Sequence, residues 1–219
     1  MYKDEKIIFR AILAGIYIAV AAIIYLIMAN ANIEYGQVIG AFLFSIALLV
    51  ICNRNYYLYT GKAGYLIPAK KEQFQMIGLT ILGNFVGIIL IAFIAYLAGI
   101  NNLFDFAKDA TAIKLSKTWY QILASSIFCG ILMYTAVDGH KNIKSDVGKT
   151  IIVIFSVVIF ILAGFEHSIA NMFYFIFSQV YSFKMILYLL IMLIGNGLGA
   201  ILVNLLQLLL KPKEVSTVL

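Results

Sequence analysis

The chain has 219 residues, of which 63% are hydrophobic and 12% charged, with a formal net charge of +6 and a mean hydropathy of +1.00. Soluble globular domains are only about half apolar, so this composition excludes a water-soluble fold and indicates a protein of the lipid bilayer. The basic residues stand at the ends of apolar segments, where headgroups and topology account for them, which excludes a nucleic-acid partner.

Apolar segments long enough to cross a hydrocarbon core about 30 Å thick recur along the chain. The first lacks a small-residue cleavage site, so we expect a retained helix in a mature protein that starts at Met1, and not a signal peptide. Two further apolar pieces, at about 57–68 and 168–179, are too short to span. The pattern predicts transmembrane helices near residues 7–29, 36–53, 74–99, 119–138, 148–165 and 183–210.

If the two short pieces are second halves of interrupted helices, the chain is an all-α membrane protein that crosses six times. Both termini then lie on one side, and the positive-inside rule places that side in the cytoplasm. The membrane is expected to be the cell's inner (plasma) membrane. The basic residues expected inside are Lys3, Lys6, Arg10, Lys62, Lys70, Lys71, Lys141, Lys144, Lys149, Lys211 and Lys213; those expected outside are Lys108, Lys114, Lys117 and Lys184.

A Gly-Asn-x-x-Gly pattern occurs once in each half of the chain, at 83–87 and at 195–199. We therefore expect one transmembrane domain, residues 1–219, built from two three-helix repeats at about 7–99 and 119–210. An odd-numbered repeat inserts its second copy upside down. The glycines allow close helix packing, and Asn84 and Asn196 are expected to bond free backbone groups at the helix breaks.

The second predicted break carries polar residues inside a lipid-like sequence, from Gly164 to Asn171. His167 either braces the break through hydrogen bonds or faces a lumen and exchanges a proton with a solute, and the near-neutral titration of imidazole favours the lumen. Asn171 is placed beside it on the predicted path. Glu166 is expected to be a structural tether that accepts backbone donors, because a bare carboxylate would repel an anion, whereas a pore-facing Glu would indicate cation transport.

The first predicted break spans residues 52–62. The hydroxyl of Thr60 can donate to an anion, and Gly61 permits a sharp turn. Arg54 is costly in a membrane unless it is paired, so a structural ion pair is expected, with Glu166, backbone carbonyls of the break or the conducted anion as candidate partners.

The two cysteines, Cys52 and Cys129, fall inside apolar segments and are interpreted as packing residues. A disulfide, a metal site and a cofactor are not expected. Only two histidines exist, one of them His140 in a predicted loop, so no catalytic set is recognisable and the chain is not expected to be an enzyme.

The sequence resembles the formate/nitrite transporter family across residues 11–210. The strongest element is Gly164-Phe165-Glu166-His167-Ser168-Ile169-Ala170-Asn171-Met172-Phe173, which matches that family's signature almost residue for residue. Three shorter matches follow in the same order as in the family: Ala14-Gly15, Leu58-Tyr59-Thr60-Gly61 and Gly195-Asn196. The family's usual Cys-Asn pair is Cys129-Gly130 here, an acidic residue is replaced by Tyr57, and Arg54 is unusual.

The resemblance implies a homopentamer in which each protomer carries an aquaporin-like pore. It further implies that His167 and Thr60 flank the middle of that pore. The function it implies is passage of small monovalent anions of weak acids, such as formate, nitrite or hydrosulfide, with the histidine aiding passage.

Constriction residues also follow from the resemblance by matching position. Phe44 and Leu48 are expected to form a cytoplasmic gate, and Leu58 and Phe160 an outer one. Lys114 is expected to be the lysine of the outer vestibule, where it would raise the local concentration of anions; a lysine in a solvated loop is the alternative.

Three alternatives stay open. A neutral-solute pore of the aquaporin kind shares the inverted-repeat plan, and a proton-coupled carrier of small carboxylates would use the same histidine. A membrane scaffold protein has no evident use for Glu166, His167 and Arg54 within apolar segments.

Overall fold

The computed structural model of the protein describes residues 2–100 and 102–210. The described chain is all-helical, as the sequence predicts. Its helices are α1 (Tyr2–Asn30), α2 (Gly36–Asn53), α3 (Tyr59–Lys62), α4 (Lys71–Leu97), α5 (Leu103–Ser116), α6 (Trp119–Asn142), α7 (Asp146–Leu162), α8 (Ser168–Phe177) and α9 (Phe183–Leu210). A 3₁₀ turn, Ala63–Leu66, continues α3. Lys211 and Lys213, counted above for the charge bias, lie outside the described residues.

Five of these helices, α1, α2, α4, α6 and α9, are long and apolar enough to cross a membrane. The remaining predicted span, α7, has 17 residues, which at 1.5 Å per residue makes it about 25 Å long. The short helices α3 and α8 lie inside the fold: Thr60 of α3 and Phe173 of α8 are fully buried. The long helices therefore surround two short ones.

Close helix pairing organises the fold, because α1 packs along α4 and α6 packs along α9. A Cβ added at Gly87 of α4 would overlap the backbone oxygen of Ile12 in α1. In the second pair, a Cβ added at Gly199 of α9 would overlap the backbone oxygen of Ile127 in α6. Both glycines are thus fixed by backbone contact between helices, which is how small residues promote association in lipid.

A helix absent from the sequence prediction, α5, joins α4 to α6. Its residues Leu103, Ala107 and Thr111 are fully buried, and their four-residue spacing is a signal for one buried helical stripe. The helix was not predicted because many polar residues on its other face keep the mean hydropathy of the segment low. Lys114, which the family resemblance assigns to the outer vestibule, lies in the last turn of α5.

Two glycines of α4 allow a matched test of this packing. Gly87→Ala is expected to destabilise the protein by about 1–3 kcal/mol through overpacking against α1. Gly78→Ala, on the same helix, meets nothing within 4 Å and is expected to be neutral or stabilising by up to about 1 kcal/mol. Apparent unfolding midpoints in detergent check this, and equal midpoints for the two variants would contradict the packing described.

Candidate functional site

The chain between α2 and α3, residues 54–58, is held by one asparagine of α4. The backbone N–H of Tyr59 donates to Asn84 Oδ1 at 3.0 Å. The amide nitrogen of Asn84 donates to the carbonyls of Ala11 and Tyr57, both at 2.8 Å. The side chain therefore satisfies both a donor and an acceptor of the interrupted backbone and ties them to α1.

The chain between α7 and α8, residues 163–167, is held in the same way by Asn196 of α9. The backbone N–H of Ser168 donates to Asn196 Oδ1 at 2.8 Å. The amide nitrogen of Asn196 donates to the carbonyls of Ser126 and Glu166, also at 2.8 Å. One side chain again satisfies the first free donor of the short helix and a carbonyl just before it.

A third asparagine, Asn204 of α9, was missed from the sequence. Its amide nitrogen donates to the carbonyls of Gly64 at 2.9 Å and Ile67 at 3.0 Å, and its oxygen accepts from the hydroxyl of Tyr134 at 2.9 Å. It holds the 3₁₀ turn after α3. An amide in the apolar last helix was the available signal, since such a group needs partners in a membrane protein.

The two breaks meet at a contact between Thr60 and His167, whose Oγ1 and Nε2 lie 3.0 Å apart. His167 Nδ1 accepts the backbone N–H of Ala170 at 3.2 Å. A neutral imidazole with Nδ1 as acceptor carries its proton on Nε2, so the ring donates to Thr60 Oγ1. Among the described residues the Thr60 hydroxyl has no second partner for its own proton.

A buried charge cluster lies beside this contact. Both carboxylate oxygens of Glu166 are occupied: Oε1 accepts from Lys117 at 2.7 Å, and Oε2 accepts from Lys114 at 2.8 Å and Asn171 at 2.9 Å. These donors are side chains, whereas the sequence predicted backbone donors. Such pairing satisfies a carboxylate whose burial would otherwise be costly.

The predicted structural pair of Arg54 was wrong. Arg54 is exposed at the C-terminal end of α2 and forms no ion pair with another described residue, and the carboxylate of Glu166 is taken by Lys114 and Lys117. The prediction failed because it counted residue 54 among the buried residues of the break, whereas the buried part of that segment begins at Leu58.

Two cavities reach this region, and the first lies on the side of Lys114. It has a volume of about 110 Å³, and its lining includes Lys114, His167, Asn171, Phe44 and Phe160. The rings of Phe44 and Phe160 meet edge to face with centroids 5.9 Å apart, and Phe160 also lies against the imidazole, with ring centroids 5.4 Å apart. We call this the Lys114 cavity.

The second cavity, the Lys62 cavity, has a volume of about 290 Å³ and is lined by residues that include Leu58, Lys62, Tyr65, His140 and Lys141. Cys52 lines it as well. The Lys62 ammonium lies 4.9 Å from the centre of the Tyr57 ring, so the tyrosine that replaces an acidic residue faces a cation. No carboxylate appears in the described lining.

The predicted pairing of constriction residues was wrong. Phe44 packs against Phe160 and lines the same cavity, while Leu58 lines the other cavity. Leu48, buried in the same helix as Phe44, lies one turn further toward Ile51, which lines the Lys62 cavity. The error arose because residues one turn apart on α2 can lie next to different cavities.

The remaining sequence features have structural explanations. A Cβ added at Gly130 would overlap the backbone oxygen of Asn196, and one at Gly15 would overlap that of Asn84, so glycine at 130 permits the close approach of α6 to α9. Cys52 and Cys129 are both free thiols. Within residues 2–100 and 102–210 no group of His, Cys, Asp and Glu side chains is arranged to hold a metal ion.

Comparison with known proteins gives one consistent result. The family model for formate/nitrite transporters matches residues 2–209. A formate-nitrite transporter of Plasmodium vivax is 29% identical over 199 residues, which cover 78% of this chain and 64% of that protein. The chain thus matches less than two thirds of that relative's length. The formate channel FocA of Haemophilus influenzae is 29% identical over 191 residues, 78% of this chain and 67% of its own.

Solved structures share the fold. A pentameric formate channel with formate bound has a TM-score of 0.82 at 24% identity, covering 95% of this chain and 97% of that one. An ion channel of the FNT family has a TM-score of 0.82 at 22% identity, covering 93% and 90%.

The hydrogen bonds of Asn84 and Asn196 to the interrupted backbone predict a measurable loss of stability when either asparagine is replaced. Asn196→Ala removes three hydrogen bonds and leaves buried backbone groups unpaired, so we expect destabilisation by about 3 kcal/mol or more. Asn32→Ala, at an exposed position between α1 and α2, is the matched control and is expected to change little. Unfolding midpoints in detergent check this; an unchanged midpoint for Asn196→Ala would contradict the bridging role.

Proposed function

This chain belongs to the formate/nitrite transporter family, a family of membrane transporters and channels, and from that premise we propose that each subunit conducts small monovalent anions of weak acids. Formate, nitrite and hydrosulfide are the candidate substrates. The observation that carries the proposal is the contact between Thr60 and His167 at 3.0 Å. One lysine-lined cavity reaches His167, and the lining of a second includes Leu58 and Lys62, which lie two positions before and after Thr60.

The proposed architecture is one domain that crosses the membrane six times in two inverted repeats. The second and fifth crossings are interrupted, as α2 with α3 and α7 with α8. Matching contacts in the two halves support this plan: α1 meets α4 as α6 meets α9, and Asn84 and Asn196 make corresponding bonds. Irregular backbone at membrane depth is tolerated where protein or a water-filled lumen satisfies it.

The proposed orientation places both termini in the cytoplasm of a plasma membrane. Lys62 and Lys141 lie at one end of the fold, where both approach the ring of Tyr65, and Lys114 and Lys117 lie at the Glu166 end. The positive-inside rule assigns the more basic end to the cytoplasm. The Lys114 cavity is then the outer vestibule and the Lys62 cavity the inner one.

The proposed path begins at Lys114 and Asn171 and passes the aromatic pair Phe44 and Phe160. It then meets His167 and Thr60 in the middle. On the inner side it passes Leu48 and Leu58, which form the second apolar constriction, and it ends at Lys62.

Desolvation sets the chemistry of this path. A charged ion loses hydration worth many kcal/mol in an apolar constriction, whereas the protonated acid loses far less. The Thr60 hydroxyl can donate a hydrogen bond to a solute at mid-path. Its oxygen accepts from the Nε2–H of His167, so the imidazole fixes the orientation of that hydroxyl. Weak acids whose proton is gained on entry and lost on exit therefore fit this path best.

The proposed assembly is a homopentamer, by analogy with the pentameric formate channel of the same fold. Many large apolar side chains on the outer faces of the long helices are exposed in one subunit, Phe93, Leu97 and Leu206 among them. Lipid and neighbouring subunits would cover them, and each subunit would keep its own path.

The charge cluster argues against a neutral-solute pore, because such a pore gains nothing from two lysines held beside a buried carboxylate. A proton-coupled carrier uses the same residues as the channel. Electrical recording in bilayers separates the two: saturable flux without net charge transfer indicates the carrier.

The histidine gives the main functional prediction. In proteoliposomes containing the wild-type chain, formate uptake is expected to rise as the pH on the loading side falls, since more of the acid is protonated. His167→Phe removes the donor to Thr60 and is expected to lower uptake by about tenfold or more. Uptake measured with labelled formate between pH 5 and 8 checks both effects.

The control for that measurement is Phe155→Leu, on the lipid-facing side of α7, where Phe155 is half exposed. It is expected to keep the wild-type rate and pH profile. Equal rates and equal pH profiles for the wild type and His167→Phe would remove the role of the imidazole.

The inner vestibule gives a second prediction. Lys62→Met removes a cation that faces the cavity and is expected to raise the half-saturating formate concentration for export by about threefold or more, with little change for import. Lys70→Met, at an exposed site before α4, is the control. Export and import kinetics in oriented vesicles check this, and an equal effect of both variants would contradict a local role for Lys62.

A further inference from the structure

We propose that Lys117 is a positioning residue for anion capture: by neutralising Glu166 it leaves the charge of Lys114 available to the outer vestibule. The inference rests on the proposed function. The family resemblance pointed to Lys114, while Lys117 entered the sequence analysis only through topology. The structure places the two ammonium groups on opposite oxygens of a single buried carboxylate.

The local charge count carries the inference. Glu166 contributes one negative charge and is fully buried, while Lys114 and Lys117 each contribute one positive charge at 2.8 and 2.7 Å from it. The cluster therefore has a net charge of +1. With Lys114 alone, the pair would be neutral, and a neutral pair attracts a distant anion only weakly.

The two lysines face different surroundings. Lys114 lines the cavity that leads to His167, and its ammonium lies 5.7 Å from the centre of the Tyr174 ring. Lys117 is absent from the described lining of that cavity and is the more exposed of the two side chains. Lys117 thus acts on the carboxylate from outside the path, and Lys114 presents the surplus charge inside it.

The fold fixes Lys117 in this place. It follows the last residue of α5, and its backbone N–H donates to the carbonyl of Lys114 at 3.3 Å. Its own carbonyl accepts from the hydroxyl of Tyr188 at 2.6 Å. A capping box formed by Thr118 and Gln121 then starts α6. The two backbone bonds of Lys117 and the capping box that follows it therefore hold the backbone in the position from which this side chain reaches Glu166.

Other nearby carboxylates do not change the net charge of the cluster formed by Glu166, Lys114 and Lys117. Asp105 and Asp109, the acidic residues of α5, are both exposed, and among the described residues neither forms an ion pair with Lys114 or Lys117. Exposed charges are screened by salt over about 10 Å. Charge in a narrow, low-dielectric vestibule is screened less and raises the local anion concentration.

The test compares formate import by four proteins in proteoliposomes: the wild type, Lys117→Met, Lys117→Arg and Lys108→Met. Lys108 is an exposed residue of α5 outside the cluster. Lys117→Met is expected to raise the half-saturating external formate concentration by about three- to tenfold, with the maximal rate little changed, and to weaken its dependence on ionic strength. Lys117→Arg and Lys108→Met are expected to resemble the wild type.

A double variant separates charge from structure. In Lys117→Met with Glu166→Gln, Lys114 regains its surplus charge, so the half-saturating concentration is expected to return toward the wild-type value. Wild-type kinetics for Lys117→Met would overturn the inference while leaving the proposed function intact, as would a Lys117→Arg variant as impaired as Lys117→Met. A folded wild-type protein that imports no formate, nitrite or hydrosulfide would instead overturn the proposed function. If the double variant does not fold, the arginine and methionine variants decide alone.

Discussion

The structure depends on the need to satisfy interrupted backbone inside a membrane-spanning protein. Lipid offers no hydrogen bonds, so a chain that leaves helical geometry at membrane depth needs partners from the protein. Asn84 and Asn196 supply them, each accepting from the first residue of a short helix and donating to two carbonyls. Their positions on α4 and α9 are set by glycines that bring neighbouring helices into backbone contact. Packing thereby fixes where the breaks lie.

The breaks in turn place polar groups where an apolar fold would otherwise exclude them. Thr60 and His167 meet because α3 and α8 begin next to each other. Glu166, one residue before that histidine, is stabilised by two lysines from the end of α5. The buried carboxylate thus holds two lysine side chains, and one of them, Lys114, lines the Lys114 cavity.

The sequence predicted the helices well and the tertiary pairing poorly, for physical reasons. Long apolar stretches and glycine spacing are local signals, so the bounds of the long helices and the bonding of Asn84 and Asn196 could be predicted. The amphipathic helix α5, the partner of Arg54 and the pairing of Phe44 with Phe160 depend on which faces meet in space. Lys117 was overlooked because a lysine near a helix end usually reflects topology, and its target lies 49 residues away.

The central claim is that solute passes through each subunit between the two breaks, and chemical blockade tests it most directly. Phe160→Cys places a thiol beside His167, whereas Phe155→Cys on the same helix α7 faces outward; both are made with Cys52 replaced by serine. Formate flux is measured before and after labelling with a methanethiosulfonate reagent. The account predicts that labelling abolishes flux in the Phe160→Cys protein and spares the Phe155→Cys protein. Full flux through completely labelled Phe160→Cys protein would contradict it.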